Sequence, residues 1–165
     1  MVVSIFIAIT LCFVILFSIR KRNQELIAVA TEVVTMYSTS YYIPTNMHNA
    51  DANEIKAFKQ DIYERLAECA QPDTFSFTQI YNASCELIDK QYETGVFYEK
   101  PSCAVLEVEE ITKAEKYISV QLYVETIERT EKNQDSVYYT YYDVKLAKEN
   151  ESWKMVSVEF VPAMI

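Results

Sequence analysis

Glycine is almost missing from this chain: Gly95 is the single one in 165 residues. Loops that cradle phosphate need several glycines so that backbone N–H groups can approach the anion, so the familiar nucleotide-binding loops are excluded. Histidine is equally scarce. His48 lies between Pro44 and Asp51, with no Ser, Cys or Asp placed around it in a triad-like pattern, and it reads as a solvated loop residue rather than a catalytic base. Cations are outnumbered, 15 Lys and Arg against 24 Asp and Glu, for a net charge of −9. An acidic surface repels phosphate backbones, so no nucleic-acid partner is expected. Of the four cysteines, Cys12 falls in an apolar run, and Cys69, Cys85 and Cys103 match no zinc spacing; they read as small buried apolar side chains. Glu107, Glu109 and Glu110 lack the glycine and Asp/Asn-rich loop of a calcium site and read as a charged strand edge. No metal site, no cofactor and no catalytic residue is expected.

What is present begins with Met1 to Ile19, which contain no charged residue, no proline and no glycine and run into Arg20, Lys21 and Arg22. At about 1.5 Å per residue the run nearly matches a hydrocarbon core of roughly 30 Å, and it reads as a transmembrane anchor, residues 1–22 with its basic flank. A cleaved signal would carry basic residues before the run and a small-x-small site after it, and neither is there. The expected location is therefore a single-pass membrane protein contacting the bilayer through residues 1–19. Arg20, Lys21 and Arg22 favour a cytoplasmic side for the remainder, residues 23–165, a soluble α+β domain.

That remainder divides near Gly95 into a helical and a strand half. Asn23–Tyr42 contains no breaker and repeats Leu26, Ala30, Val33, Tyr37 and Tyr41 at helical spacing until Pro44. A second helix starts at an Asp51 cap with Glu54 three residues on, with Ile55, Phe58, Ile62 and Leu66 as its stripe; a third starts at Ser76 with Gln79 completing a capping box. Beyond Gly95 the period falls to two. Strands are expected at Val96–Tyr98, Cys103–Ile111, Tyr117–Ile127, Val137–Ala147 and Ser152–Val161, with turns at Thr112–Lys116, Thr130–Ser136 and Lys148–Glu151. Short connections make such strands antiparallel neighbours. The expected fold class is α+β: an N-terminal transmembrane helix, then three helices packed on a curved antiparallel sheet of four to five strands.

Helices followed by a long meander that closes on Glu151-Ser152-Trp153-Lys154-Met155-Val156-Ser157-Val158 resemble the cone-shaped nuclear-transport-factor-two-like superfamily. With its apolar N-terminus, the chain also resembles the scaffold subunits of type IV secretion and conjugation machines. The first resemblance implies a pocket between sheet and helices, in which some members perform acid–base chemistry.

Alternation assigns Ile118, Val120, Leu122 and Val124 to the core face of one strand and places Tyr123 and Glu125 opposite. Tyr139, Tyr141 and Asp143 of the next strand, with Trp153 and Glu159 of the last, are expected on the same outer face. Thirteen tyrosines are an excess, and tyrosine is enriched where proteins meet. Tyr123, Tyr139, Tyr141, Asp143, Trp153 and Glu159 are thus the candidate partner-binding set. The expected function is a membrane-tethered protein-interaction module, a scaffold or accessory subunit without catalysis, with a protein partner or a second copy of itself. The alternative is a small-ligand-binding or isomerase-like cone in which a pocket carboxylate, Asp143 or Glu125, points inward.

Overall fold

The computed structural model of the protein describes residues 2–129 and 135–163, with side chains from residue 15 onward except those of 129 and 135. Without glycine or proline to interrupt it, helix α1 runs unbroken over Val2–Thr39. Leu26, Ala30, Val33, Val34 and Met36 form its buried stripe, at the three- and four-residue spacing that lines one helical face. Past Ser40 the chain leaves the helix ahead of Pro44, and Ile43 is fully buried in the exit.

The expected transmembrane helix and single-pass membrane location are corrected here. Among the described residues no helix is long and apolar enough to cross a membrane. Charge is the reason: the described side chains of α1 include Arg20, Lys21, Arg22, Glu25 and Glu32, and its C-terminal half is an amphipathic core helix. The likeness to secretion-machine scaffolds rested on that anchor and finds no support.

Helix α2, Ala52–Cys69, is opened by the expected capping box: the Asp51 carboxylate accepts from Asn53 N at 2.8 Å and Glu54 N at 3.0 Å, and Asp51 N donates to Glu54 Oε2 at 2.8 Å. Helix α3, Phe75–Thr94, starts two residues earlier than a Ser76 cap would place it. Thr74 is its cap, accepting from Phe77 N at 3.3 Å, because the Ser76 hydroxyl is buried and accepts from Val158 N of the sheet at 3.1 Å. Gly95 ends α3 at φ 66°, the left-handed conformation a glycine cap adopts without a Cβ penalty.

Four strands follow: β1 Ser102–Lys113, β2 Ile118–Arg129, β3 Asp135–Glu149 and β4 Ser152–Pro162. They pair in the order β1-β2-β3-β4, each antiparallel to its neighbour. Val96–Tyr98, expected as a strand, is not part of this sheet; the expected turn at Thr130–Ser136 lies mostly outside the described residues. Between β3 and β4 the chain reverses through Asn150 and Glu151, both at positive φ (45° and 72°), a backbone twist that suits a two-residue hairpin. The inner face of the sheet, with Val120, Leu122, Val124, Val144 and Leu146 all fully buried, packs on Leu26, Val33, Leu66 and Ile80 of the three helices.

One buried polar side chain ties the helices to the cone. Gln91 of α3, 1 % exposed, donates through Nε2 to the Tyr41 carbonyl at 2.8 Å, and its Oε1 accepts from Tyr98 N at 2.9 Å. The chain just past α1 and the segment entering β1 are thereby fixed to one helix. Gln91→Ala strands the buried Tyr41 carbonyl and the part-buried Tyr98 N–H, and each costs about 1–3 kcal/mol, the second at the lower end. The expected loss is about 3 kcal/mol in urea unfolding; a loss below about 1 kcal/mol would show that the latch is not structural. Gly95→Ala, whose Cβ meets nothing within 4 Å, is expected to lose only the backbone term, about 1 kcal/mol.

Candidate functional site

Where α1 ends, its last turn lies across the wide end of the sheet. Tyr37 and Ser38 of α1 and Tyr41 just past its end face Thr126 and Glu128 of β2, Tyr138, Thr140 and Tyr142 of β3, and Phe160 of β4 across a cleft of about 290 Å³. That volume lies near the lower end of small-molecule sites, roughly 300–1,000 Å³. Strand alternation explains the lining. Thr126 and Glu128 continue the inner-face series Ile118, Val120, Leu122, Val124, and across the ladder Thr126 pairs with Tyr138 and Val124 with Thr140. At this end the core face exchanges aliphatic side chains for hydroxyls, rings and one carboxylate.

That carboxylate is held. The Tyr41 hydroxyl donates to Glu128 Oε1 in a short hydrogen bond, and the Tyr41 ring stands edge-on to Tyr98 at 5.7 Å. Burial first, then the hydrogen bond to Glu128 and its charge, raise the Tyr41 phenol far above its ordinary value, so Tyr41 stays a proton donor throughout the physiological range. Tyr37, Tyr142 and Phe160 form a ring cluster, with centroids 5.8 Å (Tyr37–Tyr142), 5.4 Å (Tyr37–Phe160) and 6.1 Å (Tyr142–Phe160) apart. Burial pushes the Tyr142 phenol up to about 12, with hydrogen bonds to Ser38 and Thr140 acting against that rise. Thr126 Oγ1 lies 3.5 Å from Ser38 Oγ.

Of the residues chosen from the sequence, Tyr139 alone lines this cleft. Tyr123, Tyr139 and Tyr141 do come together on the outer sheet face, with Tyr123 stacked on Tyr141 at 4.7 Å and near Tyr139 at 6.0 Å. The acids of that face are each engaged there: Glu125 accepts from the Tyr139 hydroxyl at 2.8 Å, Asp143 accepts from the Ser119 hydroxyl, and Glu159 accepts from Lys145 Nζ at 2.5 Å. Neither Asp143 nor Glu125 points into the cone. Trp153 leaves the set altogether. A register shift beside Lys145/Leu146 reverses alternation in β4, so Met155 is fully buried and Trp153 packs on the core cluster, near Lys148 at 5.9 Å. Lys21 and Arg22 flank that Trp153 corner, at the opposite end of β3 from Glu128, and Arg20 is exposed.

Tyr37, Tyr41, Tyr138, Tyr142 and Glu128 were each visible in the sequence, yet only the structure unites them. The available signal was alternation: carrying the β2 inner series two steps past Val124 reaches Thr126 and then Glu128, one residue beyond the expected strand end.

The fold is the cone-shaped α+β fold of nuclear-transport-factor-two-like domains, three helices packed on a four-stranded antiparallel sheet. Among solved structures the chain is similar to one from Novosphingobium aromaticivorans DSM 12444, provisionally named a scytalone dehydratase, with a TM-score of 0.53 and 16 % identity over 88 % of this chain and 89 % of that one. No family model and no curated protein matches the chain.

Free phenols ionise near 10, whereas native Tyr142 keeps its proton to about 12. Above pH 10 the unfolded chain releases protons that the native state retains, so stability falls as pH rises from about 10 to about 12; below that window both states are protonated and the slope vanishes. Tyr142→Phe keeps the ring and removes its share of that fall, about 1 kcal/mol between pH 9 and pH 11. Urea midpoints at the two pH values check it, and an undiminished fall in the variant would contradict the assignment.

Proposed function

We propose that the protein binds a small organic ligand in the cleft at the wide end of the cone, with Glu128 as the polar group the ligand meets. The observation that carries this reading is the Tyr41–Glu128 pair: a carboxylate on the inner sheet face, in a cleft lined mostly by rings, hydroxyls and small apolar groups, oriented by a phenol from another element. A carboxylate is costly to hold beside apolar groups, and a fold gains little stability from one there. Convergent polar groups in an apolar concavity are the usual form of a ligand site. The space suits a compact ligand, since about 290 Å³ corresponds to about ten water-sized volumes of ~30 Å³. The fold is compatible, and the Novosphingobium chain's name points to small-ligand chemistry in that protein. Glu128 is the one carboxylate in the described lining, so a proton-transfer reaction run here uses it as the acceptor and Tyr41 as the neighbouring donor.

Thr140, half-buried at the cleft, is the position at which to close it. Against a set of ring-bearing probes such as phenol, aniline and cyclohexanol, the wild type is expected to show at least one saturable rise in melting temperature. Thr140→Trp is expected to fold normally and abolish it. Probes that bind the blocked variant equally well, or no probe that binds the wild type, would refute the reading.

A further inference from the structure

We infer a second binding site at the opposite end of β3 from Glu128: a pocket at the Trp153 corner that takes a small organic anion, a carboxylate joined to a compact apolar body. A helix and a hairpin build it together. On α1, Phe17, Lys21 and Glu25 follow at four-residue spacing with Arg22 beside them, so they share one face of the helix. From the hairpin, Lys148 of β3 and Trp153 of β4 are direct partners in the ladder, with Lys148 Nζ 5.9 Å from the centre of the indole ring. These side chains line an open pocket of about 470 Å³, within the usual range of small-molecule sites, roughly 300–1,000 Å³.

The charge of the lining carries the inference. Lys21, Arg22 and Lys148 bring three cations against the single carboxylate of Glu25, in a chain whose net charge is −9. Like charges gathered from two elements repel one another, and an anion among them relieves that repulsion. Neither Lys21 nor Arg22 forms an ion pair among the described residues. Lys148 reaches Glu151 at 3.7 Å with both side chains exposed, and an exposed pair of that length holds its partners weakly. A carboxylate can accept two parallel charge-assisted hydrogen bonds from one guanidinium, so Arg22 and the two ammonium groups suit such a head. Screening confines exposed charges to about 8 Å at physiological ionic strength, so a bound anion feels the local excess of cations rather than the net −9.

The apolar wall sets the rest of the ligand. Trp153 is half-buried against the core cluster, while Phe17 of the same lining is 72 % exposed. Covering such a ring is favourable in proportion to the apolar area removed from water, and a bare inorganic anion would leave it wet. An alkyl or cycloalkyl carboxylate covers it while its head meets Lys21 and Arg22.

Trp153 is the only tryptophan of the chain, so its fluorescence reports this corner directly. The test titrates the full chain with octanoate and with cyclohexanecarboxylate, each against its neutral amide of nearly the same shape, following the tryptophan emission. At least one carboxylate is expected to give a saturable change and to bind at least about tenfold more tightly than its amide at about 30 mM salt, the gap narrowing at about 300 mM as the head is screened. Lys21→Glu combined with Arg22→Glu, at two exposed positions, is expected to abolish that preference with an unchanged melting curve. Phe17→Ser is expected to weaken acid and amide by a similar factor. Equal affinity for acid and amide, a preference that survives the double reversal, or no saturable change with either carboxylate overturns the inference. The cleft reading stands or falls separately, since none of these residues lines that cleft.

Discussion

The pairing of β2 with β3 is the constraint on which the rest of the molecule depends. It holds without a shift from Ile118 opposite Leu146 to Arg129 opposite Asp135, whereas β1 on β2 and β4 on β3 each contain irregularities. Because side chains alternate across a strand, this uninterrupted register decides every inside and outside assignment along the two central strands. A slip of one residue would turn Val120, Leu122, Val124, Val144 and Leu146 to solvent. It would also carry Glu128 out of the cone and bring Glu125 in.

Helix α1 is the second constraint, and its length is what makes a site. The stripe from Leu26 to Met36 is spent on packing, and the turn that follows brings Tyr37, Ser38 and Tyr41 over the wide end of the sheet, where the core is no longer aliphatic. Gln91 fixes the Tyr41 backbone from the far side. The Tyr41 phenol is thus held by elements that have nothing to do with Glu128, and the pair is preorganised rather than formed by chance contact. Local rules of core composition are broken at this one end of the cone, which is where such exceptions concentrate when a site is built.

Much of this architecture was legible in the sequence because its signals are local. Asp51 and Glu54 announce a helix through a two-way hydrogen-bond exchange, Gly95 can only be understood as a punctuation point, and alternation from Ile118 to Val124 identifies a sheet face. Two non-local facts were hidden. The bulge that sends Trp153 to the core and separates it from Tyr123 is created by pairing, not by the residues of β4 alone. The meeting of Tyr41 with Glu128 spans 87 positions, and no spacing rule reaches that far. The apolar start misled for a simpler reason: an unbroken helix with an apolar beginning looks the same in sequence whether its charged continuation ends an anchor or, as Leu26 to Met36 show, forms the amphipathic core helix of a cone.

The most direct test is a map of amide chemical shifts during titration with small ring-bearing probes. If the cleft is the site, saturable changes concentrate on Ser38, Tyr41, Thr126 and Glu128 and spare the outer-face residues Gln121 and Tyr123. Changes confined to Gln121, Tyr123, Tyr141 and Asp143, with the α1 terminus silent, would show that the working surface is the aromatic outer face and that the Tyr41–Glu128 pair is only structural.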